Sequence, residues 1–367
     1  MTSASQNYML KAYKLPAARG IFIKGKELCM NRYDFPKLDL HLHLDGSVLP
    51  GTMLELAAQQ GVALPADTVE GYLAYIREAS GCGSVNRYLE MFEDPLQVLQ
   101  DSASLARVTR ELIGLLSSQG VAAAEIRFAP QLHTRRGLTQ AEAIEAVLKG
   151  REQGLAACPD IKIGILCCMM CIGPEAANHA ANAETAEVTA RYLGQGVVGL
   201  DLAGAEGIDP LSRFAPLFRR AAQLGIPFTC HAGDSQGPDT VRDAMDFGAR
   251  RIGHGHHIYD DPALVQRAIR EGVTIEVCPT SNIQCHTRPS YAEHPAKKLL
   301  DAGLAVTINT DNMTFAGVSL DEEYDHCLAG MGFTYEDLIR MNMNSVRACF
   351  LPQADKEELL HRLEACL

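Results

Sequence analysis

No apolar run in the chain approaches the ~20 residues that a membrane-spanning helix needs, so an integral membrane protein of the helical kind is not expected. Basic charge is also in short supply. Lys and Arg number 33 against 45 Asp and Glu, a net charge of −12. With no basic stripe, the phosphate backbone of a nucleic acid is not the expected partner. The first ~30 residues lack the apolar core of a secretory signal. The 12 cysteines are therefore expected as reduced thiols of a cytoplasmic protein rather than as disulfides. Cys168 and Cys171 have the C-x-x-C spacing, but no second pair accompanies them. They sit in the apolar run 163–172, which reads as a buried strand, so soft core side chains are expected and not a redox or zinc knuckle. A glycine-rich phosphate loop of the Gly-x-Gly-x-x-Gly type is missing after the early strands. That argues against a doubly wound dinucleotide-binding sheet.

The chain is otherwise ordinary: 367 residues, 47% hydrophobic and 21% charged, a composition typical of soluble globular proteins. Its most informative stretch is Lys37-Leu-Asp-Leu-His-Leu-His-Leu-Asp-Gly-Ser47. Residues two apart in a strand point the same way, so His41 and His43 share one face while Leu40, Leu42 and Leu44 take the other. Further short apolar runs over 123–129, 162–171, 196–203, 227–231, 251–254, 273–278 and 305–309 read as strands, most of them followed by a helical pattern. Thr139 is a candidate N-cap for the helix 139–156. Eight alternating units of this kind predict a (β/α)8 TIM-type barrel, an α/β fold, with extra helices between strands 1 and 2 and at the C-terminus. The expected organisation is an N-terminal leader over 1–35, a barrel over 36–350 and a C-terminal helix over 351–367 packed on the barrel. The apolar stripe between strands 1 and 2, which includes Tyr88 and Phe92, reads as core packing or as a lid over a pocket.

In such barrels the chemistry sits where strands end and βα loops begin. Polar residues recur there: His41, His43 and Asp45; Gly204 and Glu206; His231 and Asp234; His254 and His256; Glu276, Thr280, Ser281 and Asn282; Asp311 and Asn312. Each alone has a mundane explanation as a turn, cap or core residue. Their recurrence at one mouth of a barrel does not. Three histidines and an aspartate suit zinc or a similar borderline divalent ion. Such an ion acidifies a bound water, and a free acid and histidine nearby would handle its protons.

Taken together, His-Leu-His-Leu-Asp-Gly-Ser, Glu-Ile-Arg-Phe-Ala-Pro, Leu-Asp-Leu-Ala-Gly-Ala-Glu, His-Ala-Gly-Asp, Arg-Ile-Gly-His-Gly, Cys-Pro-Thr-Ser-Asn and Asn-Thr-Asp-Asn resemble the adenosine deaminase family of metal-dependent amidohydrolases, over roughly residues 36 to 350. The resemblance implies hydrolytic deamination of adenosine, and of 2′-deoxyadenosine, to inosine and ammonia by a metal-activated hydroxide. It implies one divalent metal, most simply Zn2+, since strand 4 has Asp201 and no lysine to bridge two. His41, His43 and His231 would be its histidine ligands and Asp311 its carboxylate ligand. Asp234 would act at purine N1, and His254 would help to deprotonate and orient the water. Asp45 would meet the ribose 5′-hydroxyl, the Gly204 backbone N–H purine N3, and Asn312 purine N7. Glu276 is similar to an acid behind the ligands. The family usually has glutamate where Asp234 stands, and an aspartate is shorter by one methylene, ~1.5 Å of reach. Many relatives have aspartate where Asn312 stands. An amide can donate to N7 directly, whereas a carboxylate must first be protonated. The alternatives left open are a 5′-modified nucleoside such as methylthioadenosine, adenine itself, or a weakly active purine-binding relative. The family's adenine deaminases tend to carry glutamate at the place of Asp45, so aspartate there favours a nucleoside.

Overall fold

Strands β1 (Lys37–His43), β2 (Val121–Phe128), β3 (Lys162–Cys171) and β4 (Val197–Gly204) pair in parallel in that order. Strands β5 (Thr229–Ala232), β6 (Arg251–His254), β7 (Thr274–Val277) and β8 (Ala305–Ile308) form a second parallel set. Two seams join the sets. Leu200 N donates to Pro227 O (2.9 Å) between β4 and β5, and Asp311 N donates to His41 O (2.8 Å) just past β8. The result is the expected ring of eight parallel strands wrapped by helices. The computed structural model of the chain describes residues 32–367 apart from 82, 84, 175 and 176 and the side chains of 85–87. The run Ile21–Ile23, a candidate strand, and most of the leader over 1–35 lie outside the described residues.

Both faces of the strands are covered, as parallel sheets require. All eight residues of β2 are buried. Around them the helices obey local rules. Thr139 caps the helix Gln140–Ala157 in a reciprocal box with Glu142. Asp101 accepts from the backbone N–H groups of Ala103 and Ser104 at the start of Ser102–Ser118, whose Leu105, Val108, Leu112 and Leu116 recur at helical spacing and are buried. Each such leucine stabilises the fold by about 1.5–3 kcal/mol on removal from water. Among the described residues, five α-helices stand between β1 and β2: Pro50–Gln60, Val69–Ser80, Val85–Glu90, Glu93–Val98 and Ser102–Ser118. The C-terminal helix Gln353–Glu364 buries Leu359 and Leu363. Cys168 and Cys171 are free and buried on β3. Three residues apart on a strand, they point to opposite faces and cannot pair.

One short helix departs from the expectation of a loop after β7. Pro279–Gln284 begins directly at Pro279, which is tolerated in a first helical turn. This turn carries Asn282 inward, which matters below.

Candidate active site

The alternation of β1 sends His41 and His43 to the inside of the ring mouth. His231 arrives from the end of β5, and the nearest ligand atoms of these three imidazoles lie within 4.8 Å of one another. Asp311, three residues beyond β8 and bridged in parallel to Leu42, brings Oδ1 to 3.6 Å from His41 Nε2 and 3.4 Å from His43 Nε2. The backbone needed for this is unusual. Asp311 and His254 both adopt positive φ, 60° and 58°, a region that costs a non-glycine residue energy and clusters at functional sites. Close approach is also built in. A Cβ at Gly253 would meet His41 Cε1 at 2.9 Å, and one at Gly46 would overlap Asn312 Oδ1.

The outer nitrogens of two of these histidines are spoken for. His41 Nδ1 donates to Glu276 Oε2 at 2.9 Å, and His231 Nδ1 to Asp201 Oδ2 at 3.0 Å. Each imidazole thus turns an Nε2 lone pair inward, the arrangement that carboxylates impose on metal-binding histidines. His41 Nε2 is buried and has no hydrogen-bond partner among the described residues. Burial holds the imidazoles of His41 and His43 well below their ordinary pKa, so both are neutral. A buried, unpartnered, neutral nitrogen donor beside two others and a carboxylate fits a borderline divalent cation. The backing carboxylates are themselves held by buried arginines. Arg127 donates to Asp201 (2.8 Å) and Glu276 (2.8 Å), and Arg251 to Glu276 (2.6 Å) and to Glu125. All are fully buried or nearly so.

On the opposite flank a carboxylate is surrounded by neutral donors. Asn282 Nδ2 (2.7 Å), Thr287 Oγ1 (3.1 Å) and His256 Nε2 (3.2 Å) all donate to Asp234 Oδ1. Asp234 Oδ2 takes no hydrogen bond among the described residues. Burial by itself would raise the Asp234 carboxyl, but the facing His254 and the donors on Oδ1 outweigh it and hold the group below the usual carboxylate range. In the free site Asp234 is therefore ionised. Asn282 also donates to His254 Nδ1 (3.1 Å), and its own Oδ1 accepts from His294 Nε2 (3.3 Å), whose Nδ1 accepts from Ala296 N (3.2 Å). The His254 ring abuts His41 and His231, at centroid distances of 4.8 and 5.3 Å.

The remaining expected residues fall as follows. Asp45 opens a short 3-10 turn after β1 and is buried; burial pushes its carboxyl up to about 6. Gly204 ends β4 with φ 110°. Asn312 is buried at the mouth, its Oδ1 without a hydrogen-bond partner among the described residues. Glu206 does not join the histidine ring. Its carboxylate accepts from the successive backbone N–H groups of Gly233, Asp234, Ser235 and Gln236 and so clamps the loop that carries Asp234. Thr280 turns away, toward Tyr291 and Glu323.

Sequence reasoning passed over three contributors. Tyr88 read as part of an apolar stripe. Its ring does pack on Phe92 and Phe315, but its buried hydroxyl faces the Asn312 side chain, and burial and the nearby Asp311 carboxylate push it well above an ordinary phenol. A tyrosine in place of a phenylalanine was the available signal. Thr287 and Arg288 follow a short helix that periodicity did not reveal.

Comparison with known proteins follows the same lines. A family model described as adenosine deaminase matches residues 36–366. The adenosine deaminase of Haemophilus ducreyi is 40% identical over 331 residues, covering 89% of this chain and 95% of the relative. That of Clostridium perfringens is 36% identical over 336 residues, covering 90% of this chain and 98% of the relative. Among solved structures, the adenine deaminase of Arthrobacter aurescens matches with a TM-score of 0.81 at 26% identity, over 90% of this chain and 98% of that one.

Proposed function

The chain belongs to the adenosine deaminase family, and from that premise we propose that it hydrolyses adenosine, and 2′-deoxyadenosine, to inosine and ammonia at the mouth described above. The observation that carries the reading is the junction of two groups by one amide: Asn282 ties Asp234 and His254 together beside the ring of His41, His43, His231 and Asp311.

His41, His43, His231 and Asp311 would hold one divalent metal, zinc by the chemistry of the donor set. When bound, the metal supplies a water acidified toward pH ~7 and stabilises charge that develops on oxygen. The chain's own residues then arrange the reaction. Asp45 takes the ribose 5′-hydroxyl, the Gly204 N–H meets N3, and Asn312 donates to N7. These contacts would set C6 against the nucleophile. Because Asp234 Oδ1 is filled by protein donors, only Oδ2 faces N1. A purine entering the mouth displaces water and desolvates the carboxylate, which raises its proton affinity. Asp234 then carries a proton on Oδ2 and gives it to N1 as the ring loses aromaticity. His254 accepts from Asn282 at Nδ1, so its neutral form presents an Nε2–H to the reacting centre. That tautomer suits orienting the oxygen nucleophile more than deprotonating it. The Asp311 carboxylate is the acceptor for the proton the water gives up. Asp311 passes that proton on to N6; C6–N6 cleavage releases ammonia, and the C6 hydroxyl gives up its own proton as the carbonyl forms, which replaces the one Asp234 took from solvent.

The test is a substrate panel of adenine, adenosine, 2′-deoxyadenosine, methylthioadenosine and AMP, followed by ammonia release with metal content determined. Turnover of adenosine and deoxyadenosine above the others is expected. Release of ammonia from adenine alone would overturn the nucleoside reading and with it the role of Asp45.

A further inference from the structure

His256 has no part in the chemistry above, yet it is fully buried and sits in a chain of hydrogen bonds that ends on the catalytic acid. Arg288 Nε donates to His256 Nδ1 at 2.8 Å, and Arg288 Nη2 donates to the His256 backbone carbonyl at 3.1 Å. A guanidinium cannot accept, so Nδ1 must be the acceptor and the ring proton must lie on Nε2. That Nε2–H faces Asp234 Oδ1 at 3.2 Å. We infer that His256 and Arg288 are positioning residues that fit this site to a short acid: Arg288 locks the tautomer of His256, and His256 fills the inner oxygen of Asp234 so that its outer oxygen alone meets the purine. This rests on the deaminase reading and deepens it.

Three features of the arrangement carry the inference. The side chain of Asp234 has a single rotatable bond before its carboxyl, and three donors from two segments converge on one of its oxygens. That leaves the carboxylate one orientation. Arg288 also prevents His256 from taking a second proton, because Nδ1 is occupied by a cation's N–H. A proton that Asp234 takes up once the purine is bound therefore cannot pass to His256 and stays on Asp234, where N1 needs it. Lastly, the space that a longer acid's carboxyl would need on the inner side is filled by the His256 ring and Thr287, which lie 3.3 Å apart. Asp234 and His256 are thus matched in size.

The groups are tested with the zinc-loaded full chain and the variants His256→Val, His256→Gln, Asp234→Glu and the double variant Asp234→Glu/His256→Val. Each is characterised by kcat and KM for adenosine, melting temperature and bound zinc. His256→Val should lower kcat ~10²-fold, the usual result of misplacing a catalytic group by about an ångström, with KM changed less than ~3-fold. His256→Gln, which keeps an N–H and most of the volume, should recover part of that loss. Asp234→Glu should be impaired alone yet restore activity in the His256→Val background, so that the double variant exceeds His256→Val. Losses that multiply in the double variant, or a His256→Val enzyme within ~2-fold of wild type, would overturn the inference while wild-type turnover of adenosine leaves the deaminase reading standing. A zinc-loaded wild-type protein that releases no ammonia from adenosine overturns both.

Discussion

The two flanks of the site are inversions of each other. On one, imidazoles face the reaction and carboxylates stand behind them: Glu276 behind His41, Asp201 behind His231. On the other, a carboxylate faces the reaction and neutral side chains stand behind it: Asn282, His256 and Thr287 behind Asp234. A negative charge behind an imidazole makes it a stronger electron-pair donor and fixes which nitrogen is free, as a metal ligand requires. Neutral donors behind a carboxylate fix its direction without adding a second negative charge that would trap its proton. The residue types are nearly the same on both sides. What differs is which stands in front, and that alone separates the proposed cation cradle from the proposed acid.

The first flank depends on buried charge, so breaking it should have the largest effect. Arg127→Met removes the partner of both Asp201 and Glu276 in the barrel interior. Leaving buried Asp201 without its arginine, and Glu276 with Arg251 alone, should cost about 3–5 kcal/mol of stability, read from urea unfolding. A loss below ~1 kcal/mol would mean that the carboxylates relax without it.

A remote imidazole sharpens the comparison because a backbone carbonyl, not a carboxylate, stands behind it. His133 is buried and donates from Nδ1 to Leu99 O at 2.7 Å. Burial lowers it from 6.5 to about 4. Its folded pKa is depressed, so the unfolded chain binds the proton first. The stability it contributes is fully present above pH ~6.5 and is lost as pH falls toward ~4, by ~3 kcal/mol in all. His133→Asn keeps a donor and cannot titrate. The difference in urea stability between wild type and this variant should shrink by that amount across the window, and a parallel pair of pH curves would contradict it.

Asn282→Leu cuts the second flank and spares the first. It removes the donor to Asp234 and to His254 together, so kcat should fall ~10²-fold with bound zinc unchanged. Glu276→Gln does the reverse. Zinc affinity should drop ~10–100-fold in a chelator competition, with kcat of the fully loaded enzyme affected less. If Asn282→Leu loses zinc, or Glu276→Gln keeps wild-type affinity, the two flanks are not separable.

Much of this was legible in the chain. The alternation around His41 and His43 foretold both the strand and the shared face, since a strand has only two faces. The strand β3 agrees with its run 162–171 end to end, because an unbroken apolar stretch of that length between polar turns has few other uses. The helix Pro279–Gln284 was less visible, since six residues are too few to show a helical period. The donors behind Asp234 were less visible still. His256 stood at a strand end with no clue to its orientation, and Arg288 lies 32 residues further on. Arg127 and Arg251, as charged residues in short strands, gave no sign of meeting the same glutamate.

Local rules therefore decided which segments are strands, where the helices begin, and which side chains sit at strand ends, because those properties depend on neighbours a few residues apart. Closure of the ring decided the rest. It brought Asp311 beside His41 across 270 positions, put Glu276 behind His41 and Asp201 behind His231, and left Asp234 with one oxygen free of hydrogen bonds among the described residues. A hydrogen bond needs its partner within about 3 Å, and a chain of this length fixes such a distance between remote residues only once the barrel has packed.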